Sequence, residues 1–229
     1  MHISRDEIHI WFADLRSLAH DLERMRPLLS PDEELRAARY AFDIHRNRFI
    51  LRRGLLRTVL AHYVAGGPKN LVFTYGPAGK PALLIGPRFN LSDSEDYVIL
   101  AVVTGCPIGV DIERIRPIPD AAEIATRFFS AAESAALSTV APERHAEAFL
   151  ACWTRKEAFL KATGGGLSTP LDSFQVELLP EREPRFLRID TQLGHSSDWS
   201  LYDLRPATDA IAAVAVPGCG WHIRVIPYS

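Results

Sequence analysis

The chain has 229 residues, 47% of them hydrophobic and 24% charged, the profile of an ordinary globular protein that can bury a sizeable core without disulfide staples. Its formal net charge of −2 lacks the basic excess of a dedicated nucleic-acid binder, though a local basic patch is compatible with it. No run approaches the roughly 20 apolar residues that cross a bilayer, so neither nucleic acid nor membrane is an expected partner. Three cysteines, Cys106, Cys152 and Cys219, are widely spaced, odd in number and without a CxxC pair. They read as free thiols of a reducing compartment. The charged N-terminal run MHISRDEIHIWFADL has no apolar core of signal-peptide length, and the expected location is the cytoplasm.

In chain order, Ile8, Ile10 and Phe12 alternate with His9 and Trp11, a strand pattern. Ser30-Pro31-Asp32-Glu33 combines an N-cap, a first-turn proline and a capping-box glutamate, so a helix starts there and reaches about Tyr40. A longer helix runs from about Asp43 to Val64, ended by Gly66-Gly67-Pro68. Its Arg46, Arg52 and Arg57 read as an exposed face. Leu71–Phe73 is a short strand, residues 75–86 are loop-like, and the continuous apolar run Tyr97–Val103 is a strand buried on both faces.

The second half begins near Pro107 with a strand over Ile108–Ile112. Capping-box patterns at Asp120 and Ser130 start two helices. A long helix spans Pro142 to Thr163 and stops at Gly164-Gly165-Gly166. Strands then follow over 174–179, 185–189, 199–204, 210–216 and 222–226. Each half offers helices plus strands, which predicts an α+β protein of two similar subdomains, residues 1–105 and 106–229, joined near Thr104–Pro107.

Two segments carry candidate chemistry. In GVDIERI, residues 109–115, strand alternation sends Ile108, Val110 and Ile112 to the core. Asp111 and Glu113 then share the other face, with Cα atoms roughly 6.5–7 Å apart. Paired carboxylates of this kind suit a hard cation such as Mg²⁺, which takes one or two carboxylates plus substrate phosphates. Taken alone, DxE is a common pattern and reads first as a solvated edge strand with ordinary surface acids. In the segment 153–174, Glu157 and Lys161 lie four apart on a helix, so their side chains are neighbours, and by themselves they read as a surface ion pair. Trp153, Phe159 and Leu160 read as core.

RFILRRGLLR near residue 50, YGPAGKP near 78, FNLSDS near 91, GVDIE at 109, RFFSAAE at 127 and WTRKEAFLKATGGGL at 153 occur in that order, followed by GLS-x-PL. From about Arg39 to Phe174 the chain resembles the Sfp-type 4′-phosphopantetheinyl transferases, the larger, two-lobed class of that family. The resemblance implies two α+β subdomains related by pseudo-twofold symmetry, working as a monomer. The activity implied is transfer of the phosphopantetheine arm of coenzyme A to a serine of an apo acyl or peptidyl carrier protein. The first subdomain would contact the 3′-phosphate and adenine of coenzyme A; the second would carry the Mg²⁺-binding acids and catalytic helix.

By the same resemblance, Asp111, Glu113 and Glu157 hold Mg²⁺, Glu157 is also the base, and Lys161 meets the pyrophosphate. Arg48, with Arg53 as a second candidate, falls near the 3′-phosphate. Lys80 and Pro81 line the adenine and 3′-phosphate site, and Ser92 contacts the pyrophosphate. One position departs from the family pattern: Asp93 stands where a histidine is usual. An ionised carboxylate cannot donate to phosphate, so Asp93 either turns away, acts through water, joins the metal shell, or weakens coenzyme A binding. A non-catalytic homologue that binds coenzyme A or a carrier, and a metal-dependent phosphohydrolase, are the competing classes.

Overall fold

The computed structural model describes residues 1–76, 79–166, 169–179 and 181–228. The first half comprises β1 (Glu7–Asp14), α1 (Leu22–Met25), α2 (Pro31–Ala38), α3 (Asp43–Leu60), β2 (Phe73–Tyr75), β3 (Pro81–Leu83), β4 (Arg88–Ser94) and β5 (Tyr97–Val103). The second comprises β6 (Gly109–Arg114), α4 (Ala121–Phe128), α5 (Ala131–Ser138), α6 (His145–Thr163), β7 (Phe174–Val176), β8 (Phe186–Ile189), β9 (Trp199–Leu204) and β10 (Ala210–Pro217), after which β11 (His222–Pro227) ends the fold. Both halves run strand, two short helices, long helix, two-stranded ribbon and two strands. Both sheets repeat one antiparallel order, β1–β5–β4 and β6–β10–β9. This is the pseudo-twofold α+β fold expected. β11, although it follows position 106, pairs in parallel with β1 in the first sheet. The sequence division at 105/106 therefore differs from the division by hydrogen bonding: a strand pattern identifies a strand but not its distant partner.

Three apolar layers follow from strand alternation. One face of the first sheet packs Trp11, Leu100 and Val102 under Leu51, Leu55 and Val59 of α3. One face of the second packs Ile211, Ala213 and Ala215 under α6. The inner faces meet, with Ile8, Ile10, Ile99 and Val103 against Ile108, Val110, Ile112 and Val214. All seven residues of β5 are accordingly buried.

Local signals account for most helix ends. Ser30 with Glu33 and Ser130 with Glu133 form complete capping boxes. Gly164, at φ +74°, closes α6 in the left-handed conformation that glycine tolerates best. The long helix of the first half ends at Leu60, earlier than the expected Val64, because three-residue turns at His62 and Tyr63 replace the helical ladder. Asp120 precedes α4 without a side-chain cap. The three cysteines are unpaired, and among the described residues no helix is long and apolar enough to cross a membrane.

Arg57 corrects the expectation of an exposed arginine face. It is buried, donating from Nε to Glu33 Oε2 at 2.7 Å and from Nη1 to the carbonyls of Pro68 and Leu71 at 3.1 and 3.0 Å. Arg46 and Arg52 stay partly exposed. A guanidinium can leave water here because one α2 carboxylate and two carbonyls satisfy it.

Gly109 sets the spacing between β6 and α6. A Cβ at this position would collide with the carbonyl oxygen of Ala158 and come within 2.5 Å of the Ala162 nitrogen. Both obstacles are helix backbone and cannot rotate away. Gly109→Ala is expected to destabilise the fold by about 1–3 kcal/mol, the scale of overpacking, measured as a lowered urea midpoint at unchanged m-value.

Candidate active site

β4 joins the two halves through its side chains. Phe89 and Leu91 pack toward the α3 core, so alternation turns Asn90, Ser92 and Ser94 toward β6. Asn90 Oδ1 accepts the Val110 N–H at 2.8 Å and Ser94 Oγ accepts the Arg114 N–H at 3.1 Å. These bonds satisfy backbone donors along the edge of β6 that β10 leaves open. Ser92 and Ser94 also donate to Asp111 Oδ1 and Glu113 Oε2, each at 2.8 Å.

α6 supplies the other wall. Lys161, in its last turn, donates to Asp111 Oδ1 at 2.6 Å and to Ser92 Oγ at 2.9 Å. Glu157 lies one turn earlier. Asp111 is 5% exposed, and its Oδ2 is buried without a hydrogen-bond partner. Burial pushes its carboxyl above the ordinary range, against the Lys161 charge. Glu113 is raised mainly by burial and further by Asp111. Glu157 is raised by burial, then by the charges of Asp111 and Glu113, with Lys161 opposing. Glu157 thus feels both acids of β6 across the β6–α6 junction.

Among the described residues no three His, Cys, Asp or Glu side chains are gathered tightly enough to enclose a metal ion alone. The donors present nevertheless fit a hard divalent cation that completes its shell from a substrate. They are carboxylate oxygens, and one is an orphaned buried oxygen.

Beside this cluster lies a cleft of about 640 Å³, walled by Lys80, Pro81 and Asn90 from the first half and by Glu157, Leu160 and Lys161 from the second. The Lys80 ammonium donates to the carbonyls of Ile108 and Lys161 at 2.8 and 2.6 Å. Burial, with Lys161 and Arg88 nearby, lowers its pKa to about 8. Pro77 and Ala78 of YGPAGKP, and Leu167 and Ser168 of GLS-x-PL, lie outside the described residues.

Of the residues singled out from sequence, Asp111, Glu113, Ser92, Glu157 and Lys161 come together, with Lys80 and Pro81 on the cleft wall. Three others have different partners. Arg48 makes a two-bond pair with Asp96, at 2.6 and 2.9 Å. Arg53 is buried on Glu33 and Tyr75. Asp93 takes the α3 side of β4 and pairs with Arg52. Sequence reasoning missed Asn90, Ser94 and Gly109; the period-two spacing of Asn90, Ser92 and Ser94 was the available signal.

A family model described as the 4′-phosphopantetheinyl transferase superfamily matches residues 107–215. The chain is 38% identical to 4′-phosphopantetheinyl transferase HetI of Nostoc, over 97% of this chain and 93% of that protein. It is 32% identical to 4′-phosphopantetheinyl transferase psf-1 of Bacillus pumilus, over 93% and 90%, and 31% identical to 4′-phosphopantetheinyl transferase Sfp of Bacillus subtilis, over 90% and 91%.

The raised carboxyls have a consequence for stability. A carboxyl whose folded pKa lies above its unfolded value binds more protons when folded, so its contribution to stability falls as pH rises through that window. Without added divalent cation, Glu157→Gln is therefore expected to melt higher than the wild type at pH 8, with the difference shrinking toward pH 4. Scanning calorimetry across that range tests this; a variant less stable at pH 8 would contradict the carboxylate repulsion.

Proposed function

This chain belongs to the 4′-phosphopantetheinyl transferase superfamily, and we propose that the junction of Asp111, Glu113, Glu157 and Lys161 is where it performs that family's reaction. The protein moves the 4′-phosphopantetheine group of coenzyme A to a serine of an apo carrier protein, releasing 3′,5′-ADP and leaving the carrier in its holo form. The observation that best supports the location is the Lys161 ammonium bonded to buried Asp111 at the end of the interlobe cleft.

Asp111, Glu113 and Glu157 are assigned to hold Mg²⁺, which when bound offsets charge on the pyrophosphate and on the departing phosphate. The rest of the chemistry is the chain's own. The cleft takes the nucleotide end of coenzyme A, and Lys161 draws the pyrophosphate toward the acids. A serine hydroxyl is a weak nucleophile until a base removes its proton. Glu157 is assigned as that base. Burial and two neighbouring carboxylates raise its proton affinity, which strengthens it in this role. As the serine oxygen bonds to the phosphorus bearing the pantetheine arm, its proton passes to Glu157. The phosphoanhydride bond then breaks toward 3′,5′-ADP, and the ammonium of Lys161 counters the charge gathering on that phosphate.

A single chain supplies both walls of the cleft, which favours a monomer. Unpaired Cys106, Cys152 and Cys219 suit the cytoplasm, where coenzyme A and carrier proteins meet. The partner is assigned as an acyl or peptidyl carrier. Asp93, the one feature that favoured a non-catalytic homologue, pairs with Arg52 on the α3 side, and nothing else on the cleft supports that reading.

Incubation with coenzyme A labelled on its arm, apo carrier protein and Mg²⁺ should give labelled carrier and free 3′,5′-ADP. Asp111→Ala and Glu157→Gln should each lower turnover about 100-fold or more, the scale of removing a charged group from a transition state, and EDTA should stop the reaction. Wild-type rates in either variant would remove the assigned roles. Asp93→His is expected to change coenzyme A affinity by less than about threefold, below the ~5- to 30-fold gain of a new charge-assisted contact; calorimetry with and without Mg²⁺ measures it.

A further inference from the structure

Lys80 sits on the short β2–β3 ribbon of the first lobe, yet both of its hydrogen-bond acceptors belong to the second. One is the carbonyl of Ile108, immediately before β6, the strand that carries Asp111 and Glu113. The other is the carbonyl of Lys161, in the last turn of α6. The last four carbonyls of a helix have no partner within it and carry its negative dipole end. Gly164 N–H answers one of them, at Leu160; the Lys80 ammonium answers the next. A single cation from the opposite lobe therefore ties together the roots of both elements whose side chains make the reactive cluster. Two of its three donors are directed at backbone carbonyls of the second lobe.

We infer that Lys80 is a positioning residue: its ammonium clamps the C-terminal turn of α6 to the start of β6 and so holds Lys161 in register with Asp111. The inference rests on the transferase reading for its kinetic consequence but not for its geometry. It assigns the side chain a different role from direct contact with the 3′-phosphate or adenine of coenzyme A. The physical reason for a cation here is that the carbonyls of the last turn of α6 carry its negative dipole end, just before a glycine-rich segment. A small shift of that turn would carry Lys161 away from Asp111 and Ser92.

The test replaces Lys80 by methionine, which keeps the chain's bulk and loses charge and donors, and by arginine, which retains both. Lys80→Met is expected to lower turnover at saturating coenzyme A about 10- to 100-fold, the scale of an ångström misplacement, with KM for coenzyme A within about threefold of wild type. Lys80→Arg should recover turnover to within about fivefold of wild type, because the guanidinium can also bridge two carbonyls. Hydrogen exchange should quicken across 157–164 in Lys80→Met and stay unchanged in α3, which separates loss of the clamp from general loosening. Should Lys80→Met fail to fold, Lys80→Gln, which keeps two donors without the charge, takes its place. A raised KM at unchanged turnover would overturn the inference in favour of direct coenzyme A contact. Unchanged exchange at the end of α6 would overturn it whatever the kinetics. A wild-type protein that transfers nothing would sink the proposed function instead, and the exchange experiment alone would then decide the clamp.

Discussion

Asp111 is an ionisable group buried with hydrogen bonds to only one of its carboxylate oxygens, so its place in the fold depends on the Lys161 ammonium 2.6 Å away. Removing a carboxylate from water costs several kcal/mol unless a counter-charge with good geometry accompanies it. Much of the second lobe maintains that contact. β6 brings Asp111 and α6 brings Lys161, and their separation is set where Gly109 lies against the backbone of Ala158 and Ala162. Ala213 and Ala215 of β10 keep the floor under α6 low. From the other lobe, Ser92 bonds both members of the pair.

The pseudo-twofold relation extends from strand order to electrostatics. In the first lobe Glu33 closes the capping box of α2 and pairs with both Arg53 and Arg57 on α3; Arg57 then binds the carbonyls of Pro68 and Leu71 ahead of β2. In the second lobe Glu133 closes the capping box of α5 and neutralises Lys156 on α6, and Lys156 binds the carbonyls of Leu171 and Phe174 at the start of β7. One device thus occurs twice: a helix-capping glutamate serves as the buried counter-ion of the long helix, whose cation fixes the next segment. The lysine beside Glu157 is therefore structural, although the two are neighbours in sequence. Lys156 faces the core while Glu157 faces the cleft, as adjacent residues on a helix must diverge.

Legibility from sequence follows the range of the interaction. Capping boxes at Ser30 and Ser130, the stop at Gly164 and the buried run of β5 are local, and each is readable. Burial of Arg57 is not, because it depends on Glu33, a partner 24 residues away. The pairing of β11 with β1 spans nearly the whole chain, and nothing local encodes it. At the site, the motifs bring out Asp111, Glu113, Glu157 and Lys161, and they do converge. What the motifs could not supply is the purpose of Gly109, visible only once α6 lies across it, or the partners of Arg48 and Arg53, which a one-dimensional match places by position alone. Asp93 illustrates the same limit: its place in the motif, where a histidine is usual, suggests a site shared with Ser92, whereas strand alternation sends the two to opposite faces.

The cluster costs stability as it stands, and this explains the arrangement around it. All three carboxyls are raised by burial, and Glu157 of α6 is raised further by Asp111 and Glu113 of β6, a repulsion across the junction that Lys161 opposes. The elements cannot drift apart because each is anchored elsewhere. The inner layer of Ile8, Ile10, Ile99 and Val103 against Ile108, Val110 and Ile112 fixes β6 to the first sheet. Phe159, fully buried against Phe174, Phe186 and Trp199, fixes α6 to its own lobe. Rigid anchors prevent that repulsion from relaxing. Loosening either anchor would let Glu157 move away from Asp111 and Glu113, lowering its proton affinity. The apolar packing of the two lobes therefore acts on the chemistry directly, by keeping the carboxylates closer than they would settle alone.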